Sequence, residues 1–94
     1  MALEQKIEKK LAREVRNHGG LCLKFTSPGT AGMPDRLIIM PGGHTAFIEV
    51  KAPGQRPRPL QKRRLQQLQQ LGATTYVLDN PHHITEIINE IRSP

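Results

Sequence analysis

Residues 34–51 read Pro-Asp-Arg-Leu-Ile-Ile-Met-Pro-Gly-Gly-His-Thr-Ala-Phe-Ile-Glu-Val-Lys, and this stretch decides the fold. Its two apolar segments flank a Gly-Gly pair, which is typical of two strands joined by a tight turn. Side chains alternate between the two faces of a strand, so Glu49 and Lys51 project from the same face. When the chain folds back over the glycines, Asp35 arrives beside them. The stretch therefore predicts a hairpin with two carboxylates and an ammonium at its open end.

The register of the hairpin decides whether Asp35 and Glu49 lie on the same face of the sheet. A two-residue turn at the Gly-Gly pair would place Asp35 opposite Val50 and turn its side chain away from Glu49. A three-residue loop or a bulge shifts the pairing by one residue and brings both carboxylates to the same face. Alternatively, Asp35 precedes the regular ladder and is not bound by its alternation. We expect one of these two departures from the plain turn.

The charges at the open end have an ordinary explanation as well. An isolated Glu-x-Lys triplet is usually a solvent-exposed ion pair that contributes little to stability. Here both segments are rich in Ile, Leu, Val and Phe, which indicates strands that belong to a core. A charge on such a strand requires a partner or a metal ion.

Length and charge narrow the class of protein. Ninety-four residues predict one domain, residues 1–94. A net charge of +6 and a pI near 10.1 indicate a polyanionic partner, usually nucleic acid, with a membrane surface as the rival. No segment approaches the roughly 20 apolar residues of a transmembrane helix. The start has no signal-peptide core, so we expect a soluble intracellular protein and no membrane partner.

Cysteine and aromatic usage exclude further classes. Cys22 is the only cysteine, which excludes an internal disulfide and a cysteine-based zinc site. Its place between two leucines predicts a small buried side chain rather than a catalytic thiol. One Tyr and no Trp leave few platforms for stacking bases, so backbone charge and shape should dominate recognition.

The first helix should span residues 3–18, because apolar side chains recur every four residues and a glycine pair follows. On a helical projection Glu4 and Glu14 flank the apolar stripe, whereas Glu8 sits farther round. Each of these acids could equally be a surface charge paired with a nearby Lys or Arg.

Further strands and a last helix follow from the same patterns. Residues 21–25 predict the first strand, and residues 26–33 predict a glycine-containing loop that could let a phosphate approach or could simply turn the chain. Residues 74–78 predict a fourth strand that lies parallel to the third by a helical crossover. Isoleucines then line a C-terminal helix, and His82 and His83 at its start lack a third ligand for a metal site.

The densest basic patch follows the hairpin. Residues 52–59 contain three prolines and a glycine and cannot form regular structure. We expect this segment and the next helix to bind phosphates, although a solvated charge run or a Pro-rich ligand segment would look similar. The basic residues of the patch are Lys51, Arg56, Arg58, Lys62, Arg63 and Arg64.

The helix predicted over residues 60–71 carries polar side chains on its buried arc. Leu60, Leu68 and Leu71 define that arc, with Leu65 at its edge. Gln61 and Arg64 fall within it. Gln61 lies one turn into the helix and could reach the open end of the hairpin, or it could be one more surface residue of a Gln-rich helix.

Taken in order, these features resemble a known family. The chain offers a helix with Glu4, a strand, Pro34-Asp35, Glu49-Val50-Lys51 and a helix with Gln61. This set resembles the PD-(D/E)xK nuclease superfamily, and in particular its virus-type replication-repair nuclease (VRR-NUC) branch. The resemblance implies an α/β fold with a restriction-endonuclease-like α-β-β-β-α-β core, a mixed four-stranded sheet flanked by helices and an additional C-terminal helix.

The resemblance also implies roles for individual residues. Asp35, Glu49 and the Val50 main-chain carbonyl would bind Mg²⁺ or Mn²⁺, and Glu4 would complete the site, with Glu8 and Glu14 as nearby substitutes. Lys51 would contact the attacking water or the scissile phosphate, and Gln61 would assist from its helix. The residues expected to contact DNA are Arg36, Arg56, Arg58, Lys62, Arg63 and Arg64.

The implied activity is that of a metal-dependent, structure-selective DNA endonuclease. Branched DNA such as a four-way (Holliday) junction is the expected substrate and a homodimer the expected assembly, since two symmetric nicks require two sites. The expected location is the cytoplasm of a bacterial cell or a phage-infected host. Two other interpretations remain: a non-catalytic nucleic-acid-binding module that uses residues 51–64, and a restriction-type nuclease that acts on duplex DNA.

Overall fold

The computed structural model describes residues 3–93, which form three α-helices and four strands. The order of elements matches the α-β-β-β-α-β pattern expected from the sequence, with a further helix at the C-terminal end. The elements are α1 (Leu3–Asn17), β1 (Leu21–Lys24), β2 (Arg36–Met40), β3 (His44–Val50), α2 (Pro59–Gln70), β4 (Thr75–Leu78) and α3 (Ile84–Arg92), with a 3₁₀ turn at Pro81–His83 before α3.

The hairpin of β2 and β3 has the three-residue connection that the charges required. Met40 lies opposite His44, so residues 41–43 form the loop, and the Gly43 amide donates to the Met40 carbonyl at 3.0 Å. Both loop glycines have positive φ, which only glycine adopts without strain. Arg36 therefore faces Ile48, and the next position outward brings Asp35 to the face of Glu49. The predicted register shift is confirmed.

The sheet is mixed, with the strand order β1-β2-β3-β4. The pairings β1–β2 and β2–β3 are antiparallel, whereas β3 and β4 are parallel. A parallel neighbour requires a crossover connection, and α2 supplies it between β3 and β4. The ends of β3 and β4 that follow Glu49 and Val77 therefore lie side by side, next to the start of α2.

The hydrophobic core lies between one face of the sheet and the helices α1 and α3. Alternate residues of β2 and β3 contribute to it, as the strand period demands. No helix within residues 3–93 is long and apolar enough to cross a membrane. The buried core residues are Ile7, Leu11, Val15, Ile38, Met40, Ala46, Ile48, Val50, Leu78, Ile84, Ile87, Ile88 and Ile91.

The second helix confirms part of the predicted buried arc. Leu60 and Leu71 were expected to be buried, but they are 40% and 78% exposed. Gln61, predicted within the arc, and Leu65, predicted at its edge, are both buried, each with 7% exposure. The prediction for Leu71 was wrong because this residue lies beyond the last residue of the helix.

The opposite face of the sheet is only partly covered. Leu21 and Leu23 of the edge strand β1 are 56% and 41% exposed. They pair with Ile39 and Leu37 of β2, which are half-buried on the same face. We call these four residues the apolar strip. No charged residue belongs to it.

Candidate active site

Two of the predicted site residues, Glu49 and Lys51, form an ion pair at the open end of the hairpin. Glu49 is the second-to-last residue of β3, and its side chain is 1% exposed. Lys51 follows β3, and its Nζ lies 3.1 Å from Glu49 Oε2. Because its side chain is 17% exposed, the ammonium can meet both Glu49 and solvent. The pair therefore lies at the boundary between core and surface.

Gln61 joins this pair from the first turn of α2. Its Nε2 donates to Glu49 Oε2 at 2.9 Å, and its Oε1 accepts the Arg58 amide proton at 2.9 Å. The second contact satisfies an amide at the helix start, while Pro59 at the first helical position has no amide proton to satisfy. The start of α2 thus fixes both ends of the Gln61 amide, and the predicted approach of Gln61 to the hairpin is what the structure shows.

The two carboxylate oxygens of Glu49 have different surroundings. Lys51 and Gln61 both contact Oε2, whereas Oε1 is buried and has no hydrogen-bond partner within residues 3–93. A buried carboxylate oxygen without a partner is costly. Hard oxygen ligands of this kind suit Mg²⁺ and similar cations, so this donor set fits a divalent metal.

Main-chain amides from two other segments of the chain donate hydrogen bonds to Asp35. Its Oδ2 accepts the Val50 amide proton at 3.2 Å, and its own carbonyl accepts the Phe25 amide proton at 2.8 Å. The preceding Pro34 is fully buried. These contacts place a second carboxylate beside Glu49, ahead of the first residue of β2.

The electrostatics of the site disfavour a charged Glu49. Burial raises the pKa of Glu49, and the neighbouring Asp35 carboxylate raises it further. The hydrogen bond and the charge of Lys51 lower the pKa, but they do not outweigh burial. Burial and the Asp35 carboxylate therefore make the charged form of Glu49 less favourable than it is in water, and a cation bound beside Glu49 would offset this cost.

The acids of α1 have different surroundings. Glu8 Oε2 accepts a hydrogen bond from Arg36 Nη2 at 2.7 Å, and the two side chains form a partly buried ion pair. Glu4 is half-buried, and its charge is among those that raise the pKa of Glu49. It does not join Asp35 and Glu49 in a compact cluster, because no three acidic, His or Cys side chains within residues 3–93 are grouped as a metal site.

The predicted DNA-binding residues divide into two groups. Arg56, Arg58, Lys62 and Arg63 are exposed along the segment after β3 and the first turns of α2. Arg36 is only 12% exposed and pairs with Glu8.

Arg64 is half-buried, and its Nε donates to the Ala31 carbonyl at 2.9 Å. The first group is available to a phosphate backbone, whereas Arg36 and Arg64 are engaged within the protein.

Sequence reasoning missed the Glu8–Arg36 pair, although a signal for it was present. Arg36 is the neighbour of Asp35, and alternation along β2 sends neighbouring side chains to opposite faces. Arg36 therefore lies on the face of the sheet that packs against α1, where it can meet the acidic residues of that helix. The contact of Arg64 with Ala31 had no such signal, because it depends on the path of the loop.

The chain was compared with known families, proteins and structures. Residues 2–80 match the VRR-NUC domain family. A protein of Acyrthosiphon pisum secondary endosymbiont phage 1, named "Putative nuclease p44", is 49% identical over 77 residues, which make up 82% of this chain and 83% of that protein. A solved structure described as a VRR_NUC domain matches with a TM-score of 0.89 and 29% identity, over 95% of this chain and 97% of the other. The family match includes every side chain of the site.

Proposed function

Because the chain belongs to the VRR-NUC family, we propose that it is a divalent-metal-dependent, structure-selective DNA endonuclease whose active site is built on Asp35, Glu49 and Lys51. Family membership and the phage relative support a nuclease. The observation that supports the metal dependence is Glu49 Oε1, a buried carboxylate oxygen that has no hydrogen-bond partner among residues 3–93 and lies beside a second carboxylate.

The metal, Mg²⁺ or Mn²⁺, would bind to Asp35, Glu49 and the Val50 main-chain carbonyl. Glu4 of α1 is not grouped with these residues in the structure, so its side chain would have to move toward them to become a further ligand. When bound, it would activate a water and stabilise charge on the phosphate. Two or three carboxylates suffice for Mg²⁺ because this ion retains several of its waters. The single domain of residues 1–94 would then contain the whole catalytic unit.

Lys51 and Gln61 would orient Glu49 and neutralise charge. Both donate to Oε2, so Oε1 is the oxygen left for the cation. The ammonium of Lys51 also remains partly exposed, where it can contact a phosphate oxygen that gains negative charge during hydrolysis.

The exposed basic residues after β3 would bind the DNA backbone. Contacts of this kind position a duplex without reading its sequence. The chain offers one Tyr and no Trp, so stacking on bases contributes little. Shape would then select the substrate, which favours branched DNA such as a four-way junction. The exposed cations are Arg56, Arg58, Lys62 and Arg63.

The homodimer would form through the apolar strip. An interface between two copies brings like surfaces together, so a chain with a charge of +6 needs a neutral surface for it. The strip contains no charge, and its exposed leucines would otherwise remain in water. DNA has no cation to contact there, so a second copy is the occupant that fits.

A cleavage panel tests the activity. The wild type, Glu49→Gln and Lys51→Ala are incubated with junction, flap and duplex DNA in Mg²⁺, Mn²⁺ or chelator. We expect wild-type cleavage of branched DNA in either metal, a loss of more than a hundredfold in both variants, and DNA binding in chelator that both variants retain. Wild-type binding without cleavage in any metal would favour the non-catalytic module, and preferential cleavage of duplex would favour a restriction-type nuclease.

The dimer has a separate test that does not depend on activity. Sedimentation equilibrium is measured for the wild type, for Leu23→Asp and for Val77→Asp, which places a charge on an apolar residue that is 40% exposed outside the strip. We expect a dimer for the wild type and Val77→Asp and a monomer for Leu23→Asp. A wild-type monomer, or a dimer that Leu23→Asp leaves intact, would remove the strip from the proposal.

A further inference from the structure

The loop that precedes Asp35 is tied to α2 although no regular pairing joins them. Its base is closed by the Phe25 amide, which donates to the Asp35 carbonyl at 2.8 Å. Near its tip the Thr30 amide donates to the Ser27 carbonyl at 3.0 Å and forms a turn. The segment between this turn and the buried Pro34 then runs along the first turns of α2.

Gly32 of the loop packs closely against Leu60 of α2. A Cβ on Gly32 would lie 2.7 Å from Leu60 Cγ and 3.3 Å from the Leu60 main-chain carbon. Its φ of +83° is also a conformation that residues with a Cβ rarely adopt. The loop therefore packs directly on the helix turn that carries Gln61.

Arg64 adds a polar contact one turn farther along α2. Its Nε donates to the Ala31 carbonyl at 2.9 Å, and its Nη1 donates to Gln67 Oε1 at 3.1 Å. The second bond orients the guanidinium along its own helix, so the first bond connects the loop to an oriented donor. A planar guanidinium with two fixed donors cannot be replaced by an ammonium without loss of geometry.

We infer that Arg64 is a positioning residue, which ties the loop of residues 26–33 to α2 and so aligns Asp35 with Glu49 and Gln61. Gln61 on α2 binds Glu49, and Asp35 stands at the end of the loop. Arg64 and the packing of Gly32 close the connection between these two halves of the site. This inference rests on the proposed nuclease activity for its kinetic consequence only.

The position of Arg64 in the basic run Lys62-Arg63-Arg64 suggested a phosphate contact, and the structure gives a different account. Lys62 and Arg63 are exposed, whereas Arg64 is half-buried and makes two internal hydrogen bonds. The consecutive cations of the helix therefore have different roles. The exposed pair would contact DNA, and Arg64 would hold the loop.

The test compares Arg64→Ala and Arg64→Lys with Lys62→Ala, which removes an exposed cation from the same helix. DNA affinity in chelator is measured against salt concentration, because each lost phosphate contact lowers the slope of log K against log salt by about 0.9. We expect both Arg64 variants to retain the wild-type slope and Lys62→Ala to lose about one contact. A slope that falls in Arg64→Ala and is restored in Arg64→Lys would overturn the inference.

Amide hydrogen exchange supplies a readout that does not depend on cleavage. We expect the amides of residues 30–33 to exchange at least tenfold faster in both Arg64 variants and at the wild-type rate in Lys62→Ala. Gly32→Ala should show the same loop opening, partly reversed by Leu60→Ala, which removes the nearest clash. Unchanged loop exchange in Arg64→Ala would refute the positioning role even if the protein were inactive.

The kinetic consequence is a lower kcat at an unchanged KM. Misplacement of a reacting group by about 1 Å can cost about a hundredfold in rate. We therefore expect kcat to fall by about 10- to 100-fold in both Arg64 variants. A raised KM with an unchanged kcat would contradict the inference, whereas an inactive wild type would contradict the proposed function and leave the exchange result to decide the role of Arg64.

Discussion

Glu49→Gln should abolish activity and yet stabilise the protein when no cation is present. The side chain is 1% exposed, and its Oε1 has no partner within the described chain. Burial and the Asp35 carboxylate raise the pKa of Glu49 despite the contact with Lys51, so the charged form of this group is less favourable in the folded protein than in the unfolded chain. Glutamine is a neutral side chain of nearly the same shape and can still accept from Lys51 and Gln61.

Two opposing effects set the size of this change. A buried polar atom without a partner costs about 1–3 kcal/mol, and the amide nitrogen of glutamine would take the place of Oε1 as such an atom, so the substitution removes only the additional cost of the charge. Loss of the charge attraction to the partly exposed Lys51 opposes this gain by about 1 kcal/mol at most. The net expectation is a stabilisation of at most about 1 kcal/mol, which for a domain of this size raises the melting temperature by no more than about 4–8 °C.

A bound cation should reverse the order of stability. A ligand at a hundred times its Kd stabilises the folded state by about 2.7 kcal/mol. The wild type should gain this from Mg²⁺ or Mn²⁺, and Glu49→Gln should gain little. Thermal unfolding in chelator and in saturating metal therefore gives a crossed pattern, with the variant more stable in chelator and the wild type more stable in metal.

The stability difference between the wild type and Glu49→Gln in chelator should depend on pH. A carboxyl group whose pKa is raised in the folded state favours folding below its ordinary pKa of 4.5, and this contribution is lost as pH rises through the raised value. The advantage of Glu49→Gln in chelator should therefore be present at neutral pH and shrink as pH falls toward 4.5. Glu86→Gln, on the exposed surface of α3, is the control and should change stability by less than about 0.5 kcal/mol. A destabilised Glu49→Gln in chelator would refute the reasoning.

Three further predictions concern the framework of the site. Glu8→Gln leaves the nearly buried Arg36 without its ion partner and should lower the free energy of unfolding in urea by about 1–3 kcal/mol, whereas no change would show that the pair is solvated. Gly20→Ala places a Cβ 2.7 Å from the Ile39 main-chain oxygen and should cost about 1–3 kcal/mol by the same measurement, and a neutral effect would contradict the close packing of Gly20, which follows α1, on β2. Burial raises the pKa of Cys22, so iodoacetamide at pH 8 should modify it more slowly than in the unfolded chain, and equal rates would contradict that burial.

The geometry of the hairpin could be predicted from the alternation of side chains along its strands. The shared face of Asp35 and Glu49 required a shift of one residue, and the three-residue loop provides it. The approach of Gln61 to Glu49 followed from its place one turn into a helix beside the hairpin. These features depend on local geometry, which the residue pattern determines.

Other features depend on the path of the chain in three dimensions. Leu60 and Leu71 were wrongly predicted to be buried, because the spacing of leucines shows neither where the helix ends nor how closely each turn packs on the sheet. Arg64 lies in a run of cations, and only the course of the preceding loop reveals that it binds the Ala31 carbonyl. Which of Glu4, Glu8 or Glu14 completes the site stays a prediction, although Glu8 already has Arg36 as an ion-pair partner.

Metal-dependent cleavage that requires the Asp35 carboxylate is tested by measuring how the wild type and Asp35→Asn cut a labelled four-way junction over a range of Mg²⁺ concentrations. We expect the wild type to cut the junction with a saturable dependence on Mg²⁺. We expect Asp35→Asn, which keeps the shape of the side chain and loses its charge, to bind the junction equally well in chelator but not to cut it. Cleavage by Asp35→Asn at the wild-type rate, or wild-type cleavage that persists in chelator, would contradict this prediction.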